Sequence, residues 1–553
     1  MQWNQNYSAL GGSLLLTALA VAVPIVFLFW ALAVKRMKGH VAGVLTLLIT
    51  IVICILVYGM PVTAALSASV LGMATGLFPI GWIILTAVFL FNLTVESGQF
   101  EIIKRSLSAL SPDRRIQALL IAFCFSAFME GVAGQGAPVA VAAAMLIGMG
   151  FPALSAAVIC LVGNTPPVPF GPVGVPTIMM STMTGFAPGT MARAIGIDMA
   201  FTALIIPFFM VVVMVGFKRA REVVPAALVA GISYAVASLA VSTYLGPELP
   251  AITASIFSLV CLVVFLQFWK PRTIWTFEHD AGAAAASGPG CTKGQVFKAW
   301  SPFLILMVLM AFWGTPLFKN FVNKELKWFL VVPHWPWLDG VVFRSAPIVA
   351  KPTLYAAGYR WDFFTAAGTA MLISALLSMA VLRISPARGA RVFARTFRQL
   401  LFSLVTLASV LGIGFLANYS GMSFTLGLAF ASYTGMAFPA FSPVIGLVGT
   451  FLTGSVTSSA ALFGKLQQVT AVSLGMNPIL TTSASLFGSV MGKLISPQSI
   501  AVACAAVGLV GRETDIFRKT LKYSLILLGM VVVVVLLQAF VIPWVLPAAT
   551  AGA

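Results

Sequence analysis

The sequence predicts an all-α polytopic membrane protein, with about 12 transmembrane helices plus two broken or re-entrant segments disposed as two inverted-topology repeats. Three observations carry this. Of 553 residues, 60% are hydrophobic and 8% charged, and the mean hydropathy is +1.04, a surface that water would not hold in solution. Apolar stretches of bilayer-spanning length recur along the chain, among them 12–34, 41–58, 77–94, 196–217, 251–268 and 523–546. Two Gly-containing anchors recur at one offset: Gly98 in SGQF with Gly421 in SGMS, and Gly131 ending FMEG with Gly454 ending FLTG, both 323 apart (421 − 98 and 454 − 131). Downstream, Gly150 before FPAL corresponds to Gly475 before MNPIL, and Asn164 with its prolines to the run ending at Pro497.

The net charge of +18 lies in short basic runs between apolar spans, as at 35–38, 218–221 and 518–522. That is the positive-inside pattern, and it lacks the interleaved aromatics of a nucleic-acid surface. Placing the basic runs in the cytoplasm leaves both chain ends outside and gives helix 77–94 and its counterpart 400–417 opposite directions. The first residues lack a basic n-region, so 12 onward reads as a retained helix. The six cysteines include no CxxC pair, and His40, His279 and His334 form no ligating spacing. Neither disulfide, metal site nor cofactor is expected. No nucleophile elbow, phosphate loop or paired-acid motif points to an enzyme.

Five regions follow: N-terminal helices at 1–60; repeat 1 at 61–222 with a broken segment at 128–141; connecting helices and a cytoplasmic linker at 223–298; helices flanking an outer loop (319–362) at 299–382; and repeat 2 at 383–553 with a broken segment at 451–465. The low-complexity run 281–290 reads as the linker. The tryptophan-rich loop 319–362 suits an interfacial lid.

In the first broken segment, Gly131, Gly134, Gly136 and a proline interrupt a run otherwise fit to span the bilayer. Unpaired backbone at that depth must face protein or a watery cavity, and a half-helix starting there would aim N–H groups at a carboxylate. A Gly-rich helix crossing is the plainer alternative. Glu130 in this segment is one of 14 acidic residues; an intramembrane carboxylate is either paired or protonated for part of a cycle, which proton coupling requires. Asp198 is a second proton-coupling candidate that a local pair with Arg193 would equally explain. In the second segment, Gly454 with Thr453, Ser455, Thr457, Ser458 and Ser459 offers amides and hydroxyls for a small hydroxy acid, or else interhelical contacts. Lys493, before the break at Ser496–Pro497, reads as an anion partner able to hold Glu130 ionised, or as a snorkelling lysine. Asn164 and five prolines give the matching stretch of the first half an irregular backbone.

At these residues the sequence resembles the L-lactate permease family, which also covers glycolate permeases. The likeness lies in WNQNY, FCFSAFMEGVAGQGAPVAV, NTPPVPFGPVGVP, GPELP at 246–250, NYSG at 418–421 and GKLISPQSIAVACAAVGLVG at 492–511, nearly end to end. The resemblance implies proton symport of L-lactate, D-lactate and glycolate across the cell inner membrane by a carrier with substrate between two hairpin tips. Glu130, Asn164, Ser458, Ser459, Lys493 and Gln498 match the family pattern. Val456 stands where an acid is expected, Ala460 where an amide is, Gln135 where Phe is usual, and Pro167 and Pro169 where smaller residues are; loss of the acid at Val456 puts the proton stoichiometry and preferred anion in doubt. Partners are then the anion, protons and lipid, with no nucleic acid; homodimerisation is left open. The competing readings are a carrier of another small organic anion, a sodium-linked transporter, and a non-transporting membrane scaffold.

Overall fold

The computed structural model describes residues 2–548 apart from 36, 109, 135, 278–291, 316, 317, 319, 320, 323–329, 350, 510 and 511. The expected linker 281–290, Gln135, His279 and Cys291 therefore lie outside the described residues. Among the described residues, 11 helices are long and apolar enough to cross a membrane, or 12 if one bent pair is a single span. The protein is a multi-pass membrane protein.

The first half runs α1 (Leu14–Phe29), α2 (Gly39–Leu56), α3 (Val62–Thr75), α4 (Trp82–Glu96), α5 (Gln99–Ser108), α6 (Arg114–Val132), α7 (Ala137–Gly148), α8 (Ala153–Gly163), α9 (Val175–Thr184) and α10 (Pro188–Val215). Two connecting helices follow, α11 (Val224–Tyr244) and α12 (Pro250–Phe268), then α13 (Lys293–Gly314) and α14 (Ala367–Leu382) on either side of a long loop. The second half runs α15 (Pro386–Ser420), α16 (Met422–Thr434), α17 (Phe438–Thr453), α18 (Val456–Ser473), α19 (Pro478–Ile495), α20 (Pro497–Ala506) and α21 (Glu513–Phe540). The order from α4 to α10 parallels that from α15 to α21, and α10 and α21 both have 28 residues. The apolar stretch expected at 77–94 is α4 with the turn before it: the chain leaves helical geometry at Phe78 (φ −140°, ψ 128°), which separates α3 from α4.

Polar caps decide where several helices begin. Asp113, Ser455, Asn477 and Ser496 each accept a backbone N–H in the first turn of α6, α18, α19 and α20. Lipid supplies no hydrophobic force between helices, so the interior packs through small residues. At the crossing of α17 and α19, a Cβ on Gly446 would run into the Ser485 carbonyl, one on Gly488 into that of Pro443, and one on Gly492 into that of Leu447.

The helix pairs α6–α7 and α17–α18 are hairpins opening to opposite faces. The open end of the first lies beside residues 219–222 and 273–277, where Arg115 is fully buried. Its guanidinium donates to Asp113, to Glu222 Oε2 (2.8 Å) and to the carbonyls of Arg219 (2.8 Å) and Thr273 (2.7 Å). The start of α21 lies at that face too, since Lys519 and Tyr523 share a cleft with Leu154, Val158 and Val213. The other end of α21 meets the open end of the second hairpin, where Asn477 Nδ2 donates to the Pro547 carbonyl at 3.0 Å.

Between α13 and α14 the described residues include short strands that a sequence without alternating apolar runs does not suggest. Strand β1 (Trp3–Asn4) pairs parallel with β3 (Val342–Arg344), which pairs antiparallel with β4 (Thr353–Leu354); β2 (Leu330–Val332) pairs with β5 (Tyr359–Trp361). The N-terminal segment is stitched to the helices, as Gln5 Nε2 donates to the carbonyls of Asn418 (2.9 Å) and Tyr419 (2.8 Å).

Candidate substrate and proton site

Glu130 sits in the last turn of α6, five residues beyond a π-helical segment (Leu119–Phe125) of a kind that often marks functional sites. Its side chain is 3% exposed. Burial of a lone carboxylate is prohibitive, and here each oxygen has a donor. Lys493 Nζ, in the last turn of α19, donates to Oε1 at 2.6 Å, and Asn164 Nδ2, capping the end of α8, donates to Oε2 at 2.7 Å. Ser126, one helical turn before Glu130, orients that amide by donating to Asn164 Oδ1 at 3.0 Å. Gly171 completes the enclosure, since any Cβ there would strike Glu130.

Lys493 of the ion pair lines a narrow cleft together with Gly136, Asn164, Thr165, Val168 and Ser499, among others. Four helix ends meet around it: the N-termini of α7 and α20 and the C-termini of α8 and α19. The two N-termini favour an anion, and Lys493 adds a full positive charge.

Both hairpin tips reach α20. Gly136 (φ 87°) turns the first tip and lies against Val502; Gly454 (φ 70°) turns the second and lies against Gln498. Positive φ at both positions favours glycine; a Cβ at Gly454 would overlap Gln498, and one at Gly136 would press closely on Val502. Gln498 and Val502 are one turn apart on α20, about 6 Å.

The expected site residues separate into groups. Glu130, Gly136, Asn164 and Lys493 come together at the cleft; Ser496, the cap of α20, reaches the lining residue Ser499 at 2.8 Å, and Gly454 lies against Gln498 on the same helix. Gly131 does not form the break: it is helical and packs against Ala251 and Ile252 of α12, and the chain leaves the helix only after Val132. Gly134 lies in the turn against Pro172. Ser455 caps α18 by accepting from Ser458 N, and Thr457 is half-buried in the turn between them. Ser459 faces the α17–α19 crossing, with its hydroxyl on the Gly446 carbonyl (3.3 Å) and on Ser489 (3.2 Å). Asp198 stands outside the cluster and does not pair with Arg193, which is exposed; its partner is Gln538, 340 residues away, because the inward face of α10 meets α21 and the arginine points outward.

Sequence reasoning overlooked Ser126, Thr165, Val168 and Ser499. The i, i+4 spacing of Ser126 and Glu130 on one helix was a signal for the first, and the Ser-Pro-x-Ser cap for the last. The other two lie in the proline-rich stretch after Asn164, whose irregular backbone was the signal, though neither residue was singled out.

Residues 17–542 match the family described as L-lactate permease. The chain belongs to the L-lactate permease family. An L-lactate permease of Bacillus subtilis is 47% identical over 99% of this chain and all of its own length. The glycolate permease GlcA of Escherichia coli is 45% identical over 98% of each chain. The YdaH transporter of Alcanivorax borkumensis, a solved structure, superposes with a TM-score of 0.50 at 14% identity, covering 91% of this permease and 98% of that chain. At that identity the likeness concerns the fold alone. The family is one of permeases, so the chain is a carrier rather than an enzyme.

Proposed function

We propose that this permease imports L-lactate, with D-lactate and glycolate as related substrates, in symport with protons across the cell inner membrane. The observation that carries the reading is the Glu130–Lys493 pair at the wall of the cleft, joining a carboxylate of one half to an ammonium of the other. A substrate carboxylate entering the cleft competes with Glu130 for Lys493. A proton taken up by Glu130 frees Lys493 for the substrate anion, so proton and anion are bound together and the loaded site carries no added charge. Asn164 holds Glu130 in either state, because its amide can donate to the carboxylate or accept from the acid. The relatives that bear lactate and glycolate in their names support the substrate class.

The parallel element order and the oppositely opening hairpins support two inverted repeats, 61–222 and 383–553, with the anion held between their tips at residues 130–138 and 454–459. Val456, fully apolar at the start of α18, leaves Glu130 as the carboxylate that carries the coupled proton.

The test is Glu130→Gln in proteoliposomes. Each unit of pH difference drives about tenfold accumulation per proton carried. The variant is expected to exchange labelled lactate by counterflow and to lose both pH-driven accumulation and lactate-induced alkalinisation. Undiminished pH-driven uptake removes Glu130 from the mechanism. Competition by glycolate and D-lactate, but not by malate, is the expected substrate profile.

A further inference from the structure

The interior holds a second carboxylate with no ion partner among the described residues. Asp198, on α10, is fully buried, and Gln538, on α21, is 1% exposed. Gln538 Nε2 donates to Asp198 Oδ1 at 2.8 Å. Two atoms of the same two side chains, Asp198 Oδ2 and Gln538 Oε1, are buried with no hydrogen-bond partner. Both are acceptors when the acid is ionised, and the Gln538 carbonyl oxygen then has no donor beside it.

The surroundings offer no cation to keep a charge there. The Ser483 hydroxyl of α19 is the other polar group facing Asp198, and it donates to the Leu480 carbonyl of its own helix at 3.2 Å. The elements against α10 carry Cys160 (α8), Tyr234 (α11), Lys493 (α19) and, on α6, Arg114, Arg115, Cys124 and Glu130. Lys493 is ten residues beyond Ser483, about 15 Å along α19, and is engaged by Glu130. Arg115 is taken up in its own clamp. The charged residues of α21 (513–522) end sixteen residues before Gln538, about 24 Å away along the helix.

One proton removes both orphans. We propose that Asp198 is a fixed proton-binding site: Oδ2 keeps a proton and donates it to the Gln538 carbonyl, while the Gln538 amide donates back to Oδ1. The two side chains then close a neutral acid–amide ring between α10 and α21. This goes beyond the transport reading, in which Glu130 alone loads and releases a proton, and it assigns Asp198 a proton that stays through the cycle.

Infrared spectroscopy of the lipid-reconstituted permease at neutral pH tests it. The wild type is expected to show the carbonyl stretch of a protonated, hydrogen-bonded carboxylic acid. That band is lost in Asp198→Asn and kept in Glu130→Gln. Asparagine replaces O–H by N–H and preserves both ring bonds, so Asp198→Asn retains lactate counterflow and pH-driven uptake at wild-type levels. Gln538→Leu, which removes the acceptor but not the acid, moves the band to the higher frequency of a free acid; it decides the matter on its own if the asparagine variant does not fold. The absence of any neutral-pH band that depends on Asp198 overturns the proposal. So does loss of pH-driven uptake with counterflow intact in Asp198→Asn, which would make Asp198 a transported-proton group. Failure of the Glu130 reading appears separately, in Glu130→Gln.

Discussion

Replacing Lys493 by methionine keeps the length of the side chain and removes its charge, leaving Glu130 with Asn164 as its one donor. At 2.6 Å and an effective dielectric of about 20, the lost attraction is about 6 kcal/mol. Part of that attraction is offset in the native protein by the cost of bringing both ions out of water, so the net penalty of breaking the pair from one side is about 3–5 kcal/mol. The side chains are 14% and 3% exposed, so solvent does little to soften it. Removing both charges together, as in Glu130→Gln with Lys493→Met, strands neither and is expected to come within about 2 kcal/mol of the wild type. The four proteins of this cycle, unfolded by chaotrope in detergent at pH 7, measure the coupling directly. If Lys493→Met unfolds with the wild type, or the double variant loses the sum of the two single losses, the pair does not hold the two halves together and the reasoning is refuted.

At the α17–α19 crossing, Gly488→Ala forces a Cβ into the Pro443 carbonyl and is expected to cost more than about 4 kcal/mol, seen as loss of monodisperse protein after extraction. Gly529→Ala, with open space around it on α21, serves as the neutral control. Arg115→Lys cannot reproduce a fork that reaches two carboxylates and two carbonyls; about 2–4 kcal/mol of unfolding stability is lost, while the folded fraction keeps its lactate affinity. In the loop between α13 and α14, the Ala357 N–H and then His334 hold the Asp339 carboxyl below its ordinary range. Its contribution is therefore complete above the unfolded value, near about 4, and is lost as pH falls through the lower folded value. Limited proteolysis of the loop is expected to be flat from neutral pH down to about 4 and to rise below it; in Asp339→Asn cleavage is already raised at neutral pH.

Hydrophobic runs and basic punctuation made the helices legible, because each span needs its own apolar length and its own charged ends. The interrupted segments were legible for the same reason: a glycine cluster in lipid has few uses. Their turning points were less so. FMEG and FLTG align, yet Gly131 is helical, and the chain turns at Gly134 and Gly136 because Pro138 can enter only the first turn of a new helix. The joining of Glu130 to Lys493, 363 residues apart, followed from the cost of a lone intramembrane charge, which makes each seek the other. Residues that serve through the backbone of a neighbour escaped notice. Ser459 looks like a ligand and instead satisfies a carbonyl within the crossing; Asp198 looks like half of a local pair and instead reaches across to Gln538. The strands between α13 and α14 are two or three residues long, too short for an alternating pattern to show.

The parallel pairing of Trp3 and Asn4 with Val342 and Phe343 bears on how the chain is made. A ribosome finishes the earliest segment first, but its strand partner emerges more than three hundred residues later, after the whole first half has been threaded through the bilayer. Until then the opening residues have nothing to pair with, and Gln5 lacks the Asn418 and Tyr419 carbonyls as well. The beginning of the polypeptide is thus among the last parts to settle, and its docking reports that both halves have arrived on the correct side.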